Sequence, residues 1–124
     1  MTRRPIIALA TALCAIALFA GALAWLLDTP RPRPGATHAE RLFLTLCAPC
    51  HGEDGRGSWR AALFLVRPGD LTDRSRMQMH TDRYLFDLIK HGGSPVGRPG
   101  MPGFERLDER DVETLVRYLR TLRR

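Results

Sequence analysis

Residues 47–51 read Cys-Ala-Pro-Cys-His, and this pentapeptide narrows the possible folds more than any other feature of the chain. A thiol pair at this spacing serves a thiol–disulfide switch, half of a zinc site, or the attachment of haem. Each use asks for different surroundings. The switch sits at a helix N-terminus within a βαβ unit. Structural zinc needs four ligands. Haem attachment needs a histidine directly after the second cysteine.

The surroundings read as helix and loop. Ala39, Leu42, Phe43 and Leu46 recur at spacings of three and four, which predicts a helix running into the motif. Gly52, Gly55 and Gly57 then break it and begin a long loop. Thr81-Asp82 precedes a second apolar face of Leu85, Leu88 and Ile89, which closes on Lys90, His91 and Gly92. A terminal helix is capped by Asp108, with Glu109 and Asp111 in its first turn. Val112, Leu115, Val116, Leu119 and Leu122 make its stripe, and Arg120, Arg123 and Arg124 its end. Between these helices lies GGSPVGRPGMPGF, an irregular Gly/Pro loop holding Met101. No alternating strand pattern and no internal repeat is evident. The expectation is an all-α domain over 38–124 with too little regular structure to fill its own centre.

The first quarter of the chain is different. From Ile6 to Leu27 no side chain is charged, and 22 residues of helix span about 33 Å, close to the hydrocarbon thickness of a bilayer. Residues 1–28 thus read as a membrane anchor or a signal peptide. Ala22-Leu23-Ala24 offers a small-x-small cleavage site, but the apolar run continues past it through Trp25-Leu26-Leu27, a length that favours an uncleaved anchor. Flanking positive charges are nearly balanced and do not set an orientation; either reading exports the C-terminal part. Cys14 lies inside the run behind Leu13, which is not the small residue that lipoprotein processing wants, and reads as a buried apolar thiol. Residues 29–37 carry three alternating prolines and read as a polyproline II linker, a semi-rigid spacer that would stand the next domain off the membrane.

The exported segment holds 15 Arg/Lys against 12 Asp/Glu, so its net charge of +3 is half the +6 of the whole chain. With no basic stripe interleaved with aromatics, nucleic acid is not an expected partner. A domain under 90 residues buries a small core and often needs a staple: a disulfide, a metal or a cofactor.

Among the three chemistries, the flanks favour haem. The motif ends a helix and no βαβ pattern surrounds it, which disfavours the thiol switch. For zinc, His38, His80 and His91 are candidate further ligands, but none has a paired spacing. A disulfide between Cys47 and Cys50 closes too short a loop to constrain much. Two thioethers to haem vinyl groups need cysteines about one helical turn apart, and the following histidine then falls beneath the porphyrin.

CAPCHGEDGRG, RPGDLTD, YLFDLIKHGG and GMPGFERLDERDVETLVRYL together resemble the class I c-type cytochromes, over nearly all of residues 38–124 and in the family's order. The resemblance implies a small helical domain wrapped around one covalent haem c and its iron. It implies thioether bonds at Cys47 and Cys50, proximal ligation by His51, and a distal methionine. Met101 matches the family's Met-Pro pattern; Met77, Met79 and His80 are the other residues within the domain to weigh for that position. Pro68 aligns with the proline whose carbonyl orients the proximal histidine. Phe43 and Tyr118 match aromatics where the first and last helices cross, with Ala39 where the family often has glycine. Trp59-Arg60 replaces a common Gly-Pro; Arg60 either pairs with a haem propionate or stays solvated on the surface.

The expected function is single-electron transfer by a non-enzymatic carrier at the bacterial inner membrane, with the haem domain in the periplasm, or a secreted periplasmic carrier if residues 1–24 are removed. Its expected partners are a dehydrogenase or quinol-oxidising complex and a terminal oxidase. The alternatives are a five-coordinate haem protein that binds gases or acts as a peroxidase, and a cytochrome subunit of a larger oxidoreductase.

Overall fold

A computed structural model describes residues 3–28 and 30–122. Among them there is no strand; helix α1 spans Arg3–Leu27, and six further helices follow. The 25 residues of α1 bury no side chain against the rest of the protein, and the helix is long and apolar enough to cross a membrane. Cys14 is accordingly exposed on it rather than buried within the protein.

Helix α2, His38–Leu46, starts from a capping box: Thr37 Oγ1 accepts from the Glu40 N–H at 3.2 Å, and Glu40 Oε2 accepts from the Thr37 N–H at 2.7 Å. The helix expected to carry Cys-x-x-Cys-His breaks at Cys47, and the motif occupies a separate turn, α3, Ala48–His51. Pro49 supplies the reason. It has no N–H to give Thr45 and its ring crowds that carbonyl, so α2 cannot run on; at the second position of a new helix neither defect matters.

The long loop expected after the motif contains two short helices, α4, Trp59–Leu63, and α5, Arg74–Met79. They are capped by Ser58 and Asp73, whose side chains accept from the N–H groups of Arg60 and Arg76. At five and six residues, neither is long enough to show an apolar period. Helix α6, Asp82–His91, starts at the acidic residue expected to mark its beginning and is capped by Thr81 just before it; α7, Glu109–Thr121, is capped by Asp108, as expected. A 3-10 turn at Ser94–Val96 lies in the Gly/Pro loop between them. Arg123 and Arg124, expected at the end of the last helix, lie outside the described residues.

Helices α2 and α6 pack on α7. Phe43, Val112 and Leu115 are fully buried at the crossing, with Leu85, Ile89, Val116 and Leu119 around them. The Phe43 and Tyr118 rings meet at 5.3 Å between centroids, tilted by 52°. His38 Nε2 and Asp111 Oδ1, 2.7 Å apart, tie the starts of α2 and α7 together. Arg120 fastens α7 to the α5–α6 corner, donating to the carbonyls of Met77 and of His80 (2.6 Å) and to Asp82 Oδ1 (2.7 Å).

The proline-rich segment does not stand the domain away from α1. Pro34-Gly35 forms a turn, with Gly35 at φ +85°, a conformation L side chains rarely adopt. The chain reverses there, and α4 returns to the C-terminal end of α1: Trp59 stacks on Trp25 at 5.1 Å, and the Arg60 guanidinium donates to the carbonyls of Trp25 and Asp28. Polyproline II is a local preference without internal hydrogen bonds, and these contacts outweigh it.

Candidate functional site

The site is built on α3. Its backbone closes one tight turn, with the His51 N–H on the Cys47 carbonyl at 2.8 Å and the Gly52 N–H on that of Ala48 at 2.8 Å. Ala48 is buried, which leaves Cys47 and Cys50, both half-buried free thiols, one turn apart beside His51. The glycine loop after them folds straight back: the Gly57 N–H meets the His51 carbonyl at 2.7 Å, and the Ser58 N–H that of Cys50 at 2.9 Å. A further bond, from the Leu71 N–H to the Gly55 carbonyl at 2.8 Å, draws in the segment around residues 66–72.

That segment orients the histidine. His51 Nδ1 lies 3.3 Å from the Gly69 carbonyl oxygen, so the ring donates through Nδ1 and keeps Nε2 as its acceptor nitrogen. The sequence comparison pointed to the carbonyl of Pro68; the oxygen that faces the ring belongs to the next residue. Burial lowers the His51 pKa below its ordinary value, against the opposing pull of the Gly69 bond, a direction that favours the neutral imidazole a metal ligand needs. Burial, and then the neighbouring Cys50, push the Cys47 thiol up to about 12.

Met101 comes from the opposite part of the chain. The Gly93 N–H bonds the Met101 carbonyl at 2.9 Å, the Arg98 N–H bonds the Gly93 carbonyl at 2.8 Å, and the Phe104 N–H bonds the Ile89 carbonyl at 3.0 Å. The loop is thus clipped to the end of α6. It leaves Met101 half-buried against the core cluster that Cys47 also touches. The clip needs two adjacent glycines, Gly92 and Gly93, because a Cβ on either would strike the loop backbone within 3 Å. The Gly-Gly pair closing a helix was legible as a stop signal, but its partners five and eight residues beyond Gly93 were not. An open cleft of about 560 Å³ lies alongside, lined by Leu46, His91 and residues 103–107, between the end of α2 and the chain just past Met101.

Of the other distal candidates, Met77 packs against the same core cluster as Met101, Met79 is 73% exposed, and His80 stacks on Tyr84 at 4.4 Å. Arg60, read as a propionate partner or a solvated side chain, instead engages α1.

The donor set suits haem attachment and neither rival. A thiol switch works through a thiolate of lowered pKa, whereas Cys47 is shifted upward, and the motif follows a helix in a fold with no strand among the described residues. Zinc fares no better: among the described residues, no three His, Cys, Asp or Glu side chains gather to hold a metal. Two thiols on one turn, next to a neutral imidazole anchored through Nδ1, are the groups that two thioether bonds and an axial nitrogen require.

Comparison with known proteins agrees. No curated protein matches the chain. The solved structure of the KustC0563 c-type cytochrome superposes with a TM-score of 0.59 at 23% identity, over 69% of this chain and 98% of that one, and so shares the fold. The model of the family described as cytochrome c oxidase, cbb3-type, subunit III matches residues 34–119, which take in α2 through nearly all of α7. With that span matched and the motif's groups disposed for covalent attachment, the chain belongs to this family of class I c-type cytochrome domains and carries its haem c with iron.

Proposed function

We propose that this domain carries single electrons through a haem attached at Cys47 and Cys50 and ligated by His51 and Met101. Bound at these residues, the haem iron takes up and gives back one electron. The chain's own groups do the rest. The Gly69 carbonyl sets the tautomer and plane of His51. The α6 clip holds the Met101 thioether, a ligand that raises the potential by favouring the reduced state. If His51 and Met101 both held the iron, no position would remain for a bond-making substrate, so the reading is that of a carrier and not an enzyme.

The observation that carries this reading is the clip from Gly93 to Met101, which ties the one Met-Pro methionine to the core shared with Cys47. The test is the absorption spectrum of the haem-loaded chain, oxidised and reduced, in wild type and Met101→Ala. A low-spin spectrum with a weak long-wavelength sulfur–iron band in the ferric form, lost in Met101→Ala, is expected. A high-spin spectrum that shifts on adding carbon monoxide would favour a five-coordinate, gas-binding or peroxidase-like protein.

We propose that α1 lies in the bacterial inner membrane with the haem domain in the periplasm: the length and composition of α1 suit a span, and the periplasmic side rests on the c-type cytochrome family match. Partners would be a dehydrogenase or quinol-oxidising complex on one side and a terminal oxidase on the other, met through small, transient contacts. The family match also favours a second reading, a cytochrome subunit held in a larger oxidoreductase; co-purification of further subunits in mild detergent would support it.

A further inference from the structure

Helix α4 departs from a plain linker-tethered domain. Its buried residue is Ala61, and Trp59 and Leu63, four apart, share the opposite face with 52% and 59% of their surfaces exposed. Trp59 stacks on Trp25, two residues before the end of α1, with ring planes 28° apart. Arg60 lies over both rings, 5.7 Å from Trp25 and 5.5 Å from Trp59, while its terminal nitrogens reach the carbonyls of Trp25 and Asp28. These are carbonyls that the end of an α-helix leaves without partners, and a cation there also meets the negative end of the helix dipole.

Depth follows from this geometry. A tryptophan at the end of a membrane-spanning helix sits at the headgroup level, where its ring is half apolar and half wet. A second ring stacked on it at 5.1 Å must lie within about one ring width of the same depth. Leu63, one turn further along α4, lies on the same face as Trp59 and so within about one helical turn, roughly 6 Å, of that depth. Resting on the reading of α1 as a retained membrane anchor, we propose that α4 is a membrane seat: Trp59 and Arg60 lock onto the outer end of α1, and the Trp59–Leu63 face lies in the lipid headgroup layer around it. The occupant of this face is lipid, because the face is continuous with the span itself. The haem domain is then held on the bilayer surface rather than swung on a spacer, which presents it to partners that diffuse in the same membrane.

The test uses the full, haem-loaded chain in nanodiscs of phosphatidylcholine and phosphatidylglycerol. Benzoylphenylalanine replaces Leu63 or, as a control on the exposed face of α7, Arg117. After irradiation, lipid adducts are read by mass spectrometry, along with the intact mass and haem absorbance. Adducts at 63, absent at 117, and lost from 63 in both Trp25→Ser and the Trp59→Ser/Arg60→Gln pair, are expected. Trp25→Ser lies outside the haem domain, so its effect does not depend on that domain's folding. Equal adducts at the two positions, none at 63, or adducts at 63 untouched by the variants would overturn the proposal. So would an intact mass lacking residues 1–24, which would remove the anchor as well. Haem absorbance failing while the adduct pattern stands would count against the cofactor reading alone.

Discussion

Gly93→Ala is the sharpest probe of the clip that holds Met101. Gly93 sits at φ −87°, ψ −11°, which any residue adopts, so the glycine is not there for backbone freedom. It is there for space: a Cβ would stand 2.1 Å from the Arg98 carbonyl oxygen and 2.8 Å from the Arg98 Cβ. Relief requires the 98–101 backbone to retreat by about 1 Å, enough to break both the Gly93–Met101 bond at 2.9 Å and the Arg98–Gly93 bond at 2.8 Å. Two bonds at about 0.5–1.5 kcal/mol each, plus overpacking of about 1–3 kcal/mol, give a cost of about 2–6 kcal/mol. At about 1.4 kcal/mol per decade, the open loop gains at least an order of magnitude in population. Guanidinium unfolding followed by circular dichroism measures the first effect; the ferric sulfur–iron band measures the second. Two controls lie in the same loop. Gly100→Ala meets Val66 at an ordinary 3.5 Å and should cost under about 0.5 kcal/mol. Gly97→Ala meets nothing within 4 Å, and at φ +74° should cost about 1–2 kcal/mol of local strain with the band intact. If Gly93→Ala matched Gly100→Ala in both stability and band, the clip would have no part in presenting Met101.

Three further outcomes are expected. Arg120→Lys keeps the charge but cannot span two carbonyls and Asp82 with one ammonium, and should lower stability by about 1–3 kcal/mol in urea unfolding; an unchanged midpoint would show that the fork is dispensable. Phe43→Ala removes a ring with no exposed surface and its contact with Tyr118, and should cost about 3–5 kcal/mol, a large share of the stability of so small a domain. Glu40 titrates below its ordinary 4.5 because it accepts hydrogen bonds from the backbone and then the side chain of Thr37. The depressed folded-state pKa means that its contribution is present above pH 4.5 and is lost as pH falls through the folded value. Stability measured from pH 6 to pH 3 should therefore fall less steeply in Glu40→Gln than in wild type, and parallel curves would exclude the capping box as the source.

Much of the fold and of the site could be read from the residues alone, wherever the signal is local. Thr81 and Asp108 cap their helices because a side-chain oxygen two or three residues from an orphan N–H needs no tertiary partner. The stripe from Val112 to Leu119 faces the core because a 3.6-residue period admits one buried side. Cys-x-x-Cys-His could be read as haem attachment because its geometry spans a single turn. The apolar length of α1 is likewise a property of the segment itself.

What the tertiary structure decided are contacts between segments distant in sequence. That Gly69, and not Pro68, faces His51 depends on how residues 66–72 are drawn in by a bond to Gly55. That α2 stops at Cys47 is written in Pro49, yet where the next turn points is set by packing around Ala48. The return of α4 to the end of α1 is the clearest case. Residues 29–37 favour an extended spacer by local preference, while Arg60 and Trp59 lie 35 and 34 positions from Trp25. Local preference amounts to a fraction of a kcal/mol per residue. Two stacked rings and a guanidinium on helix-end carbonyls act against it, but only once the fold has brought them together.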